Sequence, residues 1–335
     1  MTRGQADINR HGRRTRFCLS GKHNWLLTPK AGDVLVGPAI LDGGNRREHA
    51  ILAKAPNVTL VRLTIQHYRS GDQDAAIAVD DSKTASGWHL NHLNVGFNSN
   101  AGSRTGDGWV FNGGRYHDNR QEGIQGGGRP DHVTLNGVEI DHNDFTDTTY
   151  RKRRVDCGYE AGGVKFVASN VTIKNSSIHD NACKGIWTDI DTHGITITNN
   201  HVYNNWDEGI FIEISSRATI TANTVTGNGH RNYNGSGHGC PWLFGGGITL
   251  NSSDHVVISG NTVSGNCNGI TGVQQDRPDG NPGLLQDISV HNNTVSGPGG
   301  KTGVSEDNGA NLNSRNIVFA NNTFKSGMSF CGLGC

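Results

Sequence analysis

Short alternations of apolar and polar residues recur along this chain, and each is followed by a polar turn rich in Asn, Asp, His or Gly. Successive alternations begin 21 to 38 residues apart. Their first residues are Val58, Trp88, Trp109, Val133, Val171, Ile195, Ala218, Val256, Ile288 and Ile317. Repeats of this length are typical of stacked architectures in which each unit buries its apolar face against its neighbours. The pattern therefore predicts a solenoid.

One repeat, residues 170–181 and the segment after it, contains three short strands. Val171 and Ile173 alternate with polar residues, which predicts a strand with one buried face; a second apolar stretch follows, and Asn181 makes a turn. Asn tolerates a left-handed backbone, and its amide can bond the equivalent Asn of the next repeat. A third strand then starts at Gly185. Three strands in a coil of about 22 to 24 residues predict a parallel β-helix of about ten or more rungs.

Other repeat folds fit the composition poorly. Helical solenoids need good helix formers and apolar residues at helical spacing, whereas this chain has 48 Gly and many Asn, Thr and Ser residues. Propeller blades need four strands in about 40 residues, which is longer than most of the intervals here. The sequence therefore predicts an all-β protein built on one solenoid core.

The repeats place residues 1–335 in a single domain. We expect residues 1–56 to form an N-terminal cap with opening strands, 57–325 to form the rungs and 326–335 to close the other end, because an open end would be an aggregation-prone edge. Three insertions interrupt the repeats beside the same class of strand, the one that follows each Gly-Ile or Gly-Val pair. They span residues 144–163, 227–247 and 274–285. Long loops on one side of a rigid scaffold usually shape a binding site, so we expect a cleft there.

Charge and hydropathy argue against several kinds of partner. Thirty basic and thirty acidic residues cancel, so no general attraction to nucleic acid or to an anionic membrane is expected. No apolar stretch approaches the ~20 residues of a membrane span. Residues 1–10 are polar and do not form a signal peptide, which is compatible with a leader that has been removed. We expect a soluble monomer outside the cell.

Seven cysteines carry no CxxC spacing, which argues against a zinc site. The candidate disulfides are Cys157–Cys183, Cys240–Cys267 and Cys331–Cys335, which leaves Cys18 unpaired. In the first two pairs one cysteine lies in a long insertion and the other about one rung later, so the bond would pin the insertion. Buried free thiols are the alternative. Disulfides would favour a secreted protein.

Two carboxylates stand out when the third strands are stacked on their first glycines. Those glycines are Gly163, Gly185, Gly209, Gly247 and Gly269. Alternation then sends Asp189 and Glu213 to the outer face at the same position of consecutive rungs. Strand spacing of ~4.8 Å would hold their carboxyl groups near 5 Å, close to the ~5 to 5.5 Å of retaining glycosidases. Like charges so close would raise one pKa and leave the other low, which supplies an acid and a nucleophile.

Several neighbours are candidates for substrate contact. Trp187 and Phe211 lie two residues before the carboxylates on the same face, and an aromatic ring against a sugar ring is a common carbohydrate contact. Lys165, on the preceding rung, would orient the substrate by its charge. The remaining candidates are Asp191, two residues after Asp189, and Trp242, Gln274 and Gln275 in or near the insertions.

The segments Gly185-Ile-Trp-Thr-Asp189 and Gly209-Ile-Phe-Ile-Glu-Ile-Ser215 resemble the paired-strand motif of β-helix glycoside hydrolases that include β-xylosidases. In that family an Asp nucleophile and a Glu acid/base lie on adjacent rungs. The resemblance therefore implies Asp189 as the nucleophile and Glu213 as the proton donor. More broadly, the chain resembles the right-handed parallel β-helix proteins of the pectate-lyase-like superfamily, mostly secreted enzymes that degrade polysaccharides. A secreted hydrolase with a carbohydrate substrate is what this likeness implies.

Two other interpretations of these residues stay open. In a polysaccharide lyase, Ca²⁺ would bind Asp189, Asp191 and Glu213, and a base such as Lys165 would abstract a proton beside the carboxylate of a uronate polymer. In a non-catalytic β-helix, the acidic column would be a shallow surface for glycan binding or adhesion, or plain solvated surface. The hydrolase needs no metal or other cofactor, whereas the lyase needs Ca²⁺.

Overall fold

A computed structural model describes residues 4–143, 160–230, 242–275, 283–306, 316–325 and 327–333. Within these ranges one helix, Gln5–Arg10, accompanies thirty-one strands. The strands form three columns, in which each strand pairs in parallel with the equivalent strand of the next rung. We number the columns first, second and third in the order in which the chain visits them within a rung.

The strand bounds are as follows. Strands of the first column are Arg16–Cys18, Thr134–Asn136, Thr172–Lys174, His193–Thr198, Ser216–Thr221, Asp254–Ser259, Gln286–His291 and Ile317–Ala320. Strands that run on from the first column into the second are Val34–Asp42, Thr59–Gln66, His89–Gly96 and Val110–His117. Strands of the second column are Gly21–His23, Glu139–Asp141, Ser177–His179, His201–Tyr203, Thr224–Thr226, Thr262–Ser264, Thr294–Ser296 and Thr323–Phe324. Strands of the third column are Ile51–Ala53, Ala75–Val79, Ala101–Arg104, Glu122–Gly126, Gly162–Phe166, Lys184–Thr188, Ile210–Glu213, Gly246–Asn251, Asn268–Gln274, Lys301–Glu306 and Ser329–Leu333.

The predicted parallel β-helix is confirmed. The third column alone contains eleven strands in one sheet, in agreement with the expected ten or more rungs. Within it, Lys165 aligns with Trp187 and Trp187 with Phe211, which is the stacking expected from the glycines. The inward positions form stacks of aliphatic residues that are fully or almost fully buried, such as Ile186 above Val164 and below Ile210. One continuous core runs the length of the coil.

Buried asparagines occupy the corner between the second and third columns, and we call this series the corner ladder. It runs through Asn98, Asn119, Asn143, Asn181, Asn205, Asn228 and Asn266. Nδ2 of Asn181 donates to Oδ1 of Asn205 at 2.9 Å, and Nδ2 of Asn205 donates to Oδ1 of Asn228 at 3.0 Å. Each of these oxygens also accepts the backbone N–H of the preceding asparagine. The ladder satisfies buried donors at every turn and fixes the rungs in register.

A second asparagine ladder occupies the corner between the first and second columns. It runs through Asn200, Asn223, Asn261, Asn293 and Asn322. The two ladders hold two of the three corners of the coil by the same repeated contact.

Glycines at the start of six third-column strands pack against the corner ladder: Gly102, Gly123, Gly163, Gly185, Gly209 and Gly247. A Cβ added to Gly185 would lie 2.6 Å from the carbonyl oxygen of Gly209 and 2.7 Å from Nδ2 of Asn205. Real Cβ atoms do not approach so closely, so only glycine fits while the ladder is in place. This close approach explains the repeated Gly-Ile and Gly-Val pairs of the sequence.

Regular pairing extends into both segments expected to act as caps. At the N-terminal end, Arg16–Cys18 already pairs with the strand Val34–Asp42, and Ile8 of the helix packs into the core at 2% exposure. At the other end, Ser329–Leu333 forms the last strand of the third column. None of the helices in the described part of the chain has the length and apolarity to cross a membrane.

The three predicted insertions, residues 144–163, 227–247 and 274–285, lie mostly outside the described residues. Of the described residues that flank or begin them, Asn143 and His230 precede third-column strands and Gln275 follows one. The cleft expected beside the insertions stays a prediction.

Three cysteines, Cys183, Cys267 and Cys331, are disulfide-bonded, whereas Cys18 is a free and exposed thiol. The predicted partners are Cys157, Cys240 and Cys335, which lie outside the described residues. The proposed pairing therefore stays a prediction.

Loss of one amide from the corner ladder should destabilise the coil strongly. Asn205→Ala removes two hydrogen bonds that Asn181 donates to it and leaves Oδ1 of Asn228 without its side-chain donor, so we expect a loss of about 3 kcal/mol in the free energy of unfolding. Asn136→Ala is the matched control, because the half-buried Asn136 bonds Asn175 from a strand outside the ladder. It should cost less than about 1 kcal/mol. Urea unfolding followed by circular dichroism measures both; equal losses would contradict the ladder's role.

Candidate active site on the third column

Asp189 lies directly after the third-column strand Lys184–Thr188, and Glu213 is the last residue of the next strand, Ile210–Glu213. Parallel pairing of Thr188 with Ile212 brings the residues after them to the same level on consecutive rungs. Asp189 is only 7% exposed and Glu213 is half-buried. Neither carboxylate turns into the apolar interior, since each contacts polar partners on the outer face. The outer face is itself recessed, because Lys165 and Phe211 are each 3% exposed.

A lysine of the preceding rung holds the carboxylate of Asp189. Nζ of Lys165 lies 2.8 Å from Oδ2 of Asp189 and 2.9 Å from Oε1 of Glu160. The Lys165 side chain is 4% exposed, so both ion pairs form away from bulk water, where charge attraction is stronger. The backbone N–H of Ile190 donates to Oδ1 of Asp189 at 2.8 Å. These contacts leave the carboxylate in one fixed orientation.

Two neutral donors orient the carboxylate of Glu213. Nε1 of Trp187 donates to Oε2 of Glu213 at 3.0 Å, and Nδ2 of Asn251 donates to Oε1 at 3.3 Å. Asn251 occupies the same level as Glu213 on the next rung and also donates to Oε1 of Gln275 at 2.8 Å. Glu213 is thus held between the rung before it and the rung after it.

Lysine ammonium groups cover the ring of Trp187. Nζ of Lys165 lies 3.6 Å from the ring centroid and Nζ of Lys184 lies 4.8 Å from it. Lys184 also lies 5.3 Å from the centroid of Phe211, whose ring is tilted at 45° to that of Trp187 with 6.3 Å between centroids. Trp187 is 7% exposed. The two predicted aromatic contacts are therefore present on the outer face but lie beneath charged side chains.

Three charged residues that the alternation did not select lie directly before the glycines of third-column strands: Glu122, Lys184 and Glu208. All three are buried. Nζ of Lys184 lies 3.0 Å from Oδ2 of Asp207 and 3.8 Å from Oε2 of Glu208. Each of these residues directly precedes a Gly-Ile pair, and this pattern is visible in the sequence. Alternation did not identify them because they lie at or just before the first residue of a strand, where the chain leaves the corner.

Burial shifts the protonation of these groups. It raises the pKa of Glu208 to about 8, and the charge of Asp207 adds to this effect while Lys184 opposes it. Burial also raises the pKa of Glu122 well above its usual value, against the opposing charge of Lys165. For Lys184, burial lowers the pKa, but the charges of Asp207 and Glu208 outweigh it and the pKa rises. Burial therefore favours the protonated forms of Glu208 and Glu122.

The backbone is strained directly after both candidate carboxylates. Ile190 has φ of 43° and Ile214 has φ of 41°, in the left-handed region that β-branched residues avoid. Most other left-handed residues of this chain are Asn, Asp, His or Gly, which tolerate that region. Such outliers persist only where the surroundings impose them, and they cluster at functional sites. Here the strain marks the position of Asp189 and Glu213.

The other predicted contacts are more scattered. The strand ends at Thr188 and the backbone turns at Asp191, which has φ of 62°, so the alternation does not extend to Asp191. Oδ2 of Asp191 instead lies 3.4 Å from Nη1 of Arg129. Gln274 is buried, and its Oε1 accepts the backbone N–H of Leu285 at 2.6 Å. Gln275 reaches the site through Asn251. The half-buried Trp242 lies at the return of the second insertion, where its carbonyl accepts from Asn268.

A metal fits this site only by displacing a lysine. The ammonium of Lys165 already neutralises Asp189, so the Ca²⁺ site expected for a lyase would need that ammonium to move. Among the described residues, a group with metal-ligand spacing occurs instead on the second column: Glu139, Asp141 and His179. There Nε of Arg115 donates to Asp141 at 2.7 Å, so this group too already faces a cation. The Ca²⁺ ligand set stays a prediction.

Comparison with known proteins confirms the fold. Residues 75–240 match the family described as "Right handed beta helix region". No curated protein sequence matches the chain. The chain is a right-handed parallel β-helix, as its likeness to that class predicted.

Three solved structures are similar in fold at low sequence identity. The catalytic unit of a thermostable GH87 α-1,3-glucanase from Streptomyces thermodiastaticus has a TM-score of 0.62 and 13% identity, over 98% of this chain and 65% of that one. The periplasmic alginate epimerase AlgG has a TM-score of 0.58 and 12% identity, over 91% and 78%. The mannuronan C-5 epimerase AlgE4 A-module from Azotobacter vinelandii has a TM-score of 0.51 and 13% identity, over 98% and 92%.

Relief of backbone strain at Ile190 should stabilise the protein. Ile190→Asn places a residue that tolerates left-handed backbone at an exposed position, so the free energy of unfolding should rise by about 1 kcal/mol. Val257→Asn is the control, because Val257 is similarly exposed but lies in a regular strand, where Asn is disfavoured. In thermal and urea unfolding, the free energy of unfolding should therefore rise for Ile190→Asn and fall for Val257→Asn. A destabilised Ile190→Asn would argue against strain.

Glu208 should make stability fall as pH rises. Its pKa is about 8 in the folded protein against an ordinary value of 4.5, so between these values the folded state binds more protons than the unfolded state. Its contribution is complete below pH 4.5 and is lost as pH rises through about 8. Glu208→Gln should flatten this slope in urea unfolding at pH 5, 6.5 and 8. Asp80→Asn, at an exposed side chain that pairs with Lys54, should keep the wild-type slope.

Proposed function

We propose that this protein is a secreted carbohydrate-active enzyme that hydrolyses glycosidic bonds in a polysaccharide or oligosaccharide with retention of configuration. Asp189 is the nucleophile and Glu213 is the acid/base. The observation that carries the proposal is the placement of two carboxyl groups at one level of consecutive rungs, on a recessed face, each held by specific partners. Parallel strands ~4.8 Å apart suit the carboxyl separation of a retaining site.

The proposed reaction has two steps. Asp189 attacks the anomeric carbon while Glu213 transfers its proton to the glycosidic oxygen, so one C–O bond forms as the other breaks. Water then attacks the glycosyl-enzyme and gives a proton to Glu213, which releases the sugar and restores both carboxyl groups. Lys165 orients the first group, and Trp187 with Asn251 orients the second.

Further observations support a carbohydrate enzyme outside the cell. The similar structures include an α-1,3-glucanase and a periplasmic epimerase. The disulfide-bonded Cys183, Cys267 and Cys331 favour an oxidising compartment. The recessed position of Asp189 favours a reaction site over a flat adhesion surface, because a surface for adhesion needs no buried charge.

A calcium-dependent lyase that acts on a uronate polymer is the second candidate. Two of the similar structures are epimerases of alginate and mannuronan, and Lys165 lies beside acidic groups that could share a metal. Against it, the ammonium of Lys165 is engaged by two carboxylates, which disfavours a role as the proton-abstracting base.

One screen separates the candidates. Plant, algal and bacterial polysaccharides are incubated with the protein, with and without a chelator, and read for new reducing ends and for ultraviolet absorbance. A hydrolase gives reducing ends without absorbance and is indifferent to the chelator. A lyase gives both signals and loses them with the chelator, and binding without any product indicates a non-catalytic glycan-binding protein.

Removal of either carboxylate should abolish turnover while the coil stays folded. Asp189→Asn and Glu213→Gln should each lower kcat by about 1,000-fold or more on the substrate found in the screen. Glu139→Gln, on the second column, is the matched control and should retain wild-type kcat. Circular dichroism checks the fold of all three variants. Near wild-type activity in either of the first two would discard the assignment.

A further inference from the structure

The contacts of Trp187 are those of a bridge between the two carboxylates and differ from those of a sugar platform. A sugar that stacks on an aromatic ring needs one open face of that ring. The ring of Trp187 is 7% exposed, with Nζ of Lys165 at 3.6 Å and Nζ of Lys184 at 4.8 Å from its centroid. Cations at these distances are attracted to the ring and compete with a sugar for it.

The indole N–H has a specific acceptor. It is a donor only, and it lies 3.0 Å from Oε2 of Glu213. The other oxygen of Glu213 is bound by Asn251, so the two donors together fix the carboxylate. A donor aimed at a carboxyl oxygen opposes rotation of the group.

The same ring is tied to Asp189 through Lys165. The ammonium of Lys165 contacts the carboxylate of Asp189 at 2.8 Å and the ring of Trp187 at 3.6 Å. A continuous series of contacts therefore runs from Asp189 through Lys165 and Trp187 to Glu213. Each contact is either an ion pair, a cation–π contact or a hydrogen bond, and each weakens if the charge at either end changes.

We propose that Lys165 and Trp187 are positioning residues that connect the nucleophile to the acid/base, so that the orientation of Glu213 depends on Trp187. The inference rests on the proposed function only for its kinetic consequences. The hydrogen bond itself is independent of any substrate. The cations on the indole ring are Lys165 and Lys184. Lys165 is in turn paired with Glu160 and Asp189, and Lys184 with Asp207 and Glu208.

Kinetics of Trp187→Phe separate the two roles of this residue. Phenylalanine keeps an aromatic ring for the lysines but lacks the N–H donor. We expect kcat to fall by about 10- to 100-fold with KM within about two-fold, because the lost donor no longer fixes the orientation of Glu213. In a Glu213→Gln background the same change should have no further effect. A platform would instead raise KM at constant kcat, and that result overturns the proposal.

A spectroscopic test needs no substrate. The six tryptophans are labelled with ¹⁵N in the indole, and the Nε1–H signals are followed by NMR as pH is varied. The signal of Trp187, assigned by its loss in Trp187→Phe, should titrate in the wild type and lose that titration in Glu213→Gln. Trp88 and Trp109 are internal controls, because their N–H groups donate to core carbonyls of Ala55 and Ala85. An unchanged Trp187 titration in Glu213→Gln overturns the bridge even if the enzyme is inactive on every glycan. A lost titration without any glycan activity supports the bridge and removes only the proposed hydrolysis.

Discussion

The corner ladder is the contact on which the rest of the structure depends. Its amides bond one another from rung to rung and also bind the backbone groups that the turns would otherwise bury without partners. Because each amide must meet the next, the chain returns to the same corner after every coil, whether 23 or 38 residues intervene. The rigid corner is what lets long insertions enter the coil without disturbing its register.

The site follows from that register. The ladder leaves room only for glycine at Gly163, Gly185, Gly209 and Gly247, and the third-column strands that contain or follow these glycines pair in one register. Asp189 and Glu213 therefore lie at the same level of the coil although they are distant from each other in the sequence. With their partners Lys165, Trp187 and Asn251, the two carboxylates span four successive rungs, and all of these residues are stacked by the same register. In a solenoid, a site is therefore built from equivalent positions of neighbouring rungs along the axis of the coil.

The sequence predicted the fold, the third-column stacking and the level shared by Asp189 and Glu213, because these depend on local alternation and on Asn and Gly at corners. Alternation does not indicate where a strand ends. It therefore predicted a strand that continues to Asp191, whereas the strand ends at Thr188 and the backbone turns after it. Alternation also predicts that the side chain of Lys184 points inward, like that of Ile186. Its ammonium group instead lies over the ring of Trp187 on the outer face. Alternation also did not predict the burial of Trp187, because Lys165 from the preceding rung and Lys184 from the same strand cover its ring.

The corner ladder also has a direction. Every Nδ2 donates to the Oδ1 of the asparagine that follows in the chain, from Asn98 through to Asn266. Hydrolysis of one side-chain amide to a carboxylate would keep the oxygen that accepts from the preceding asparagine, but it would remove a donor that is used twice. At Asn205 that donor binds Oδ1 of Asn228 on the next rung and the carbonyl of Ile178 on the preceding rung, so deamidation would set acceptors face to face on both sides. Chemical damage at one rung is therefore expected to loosen the coil in both directions.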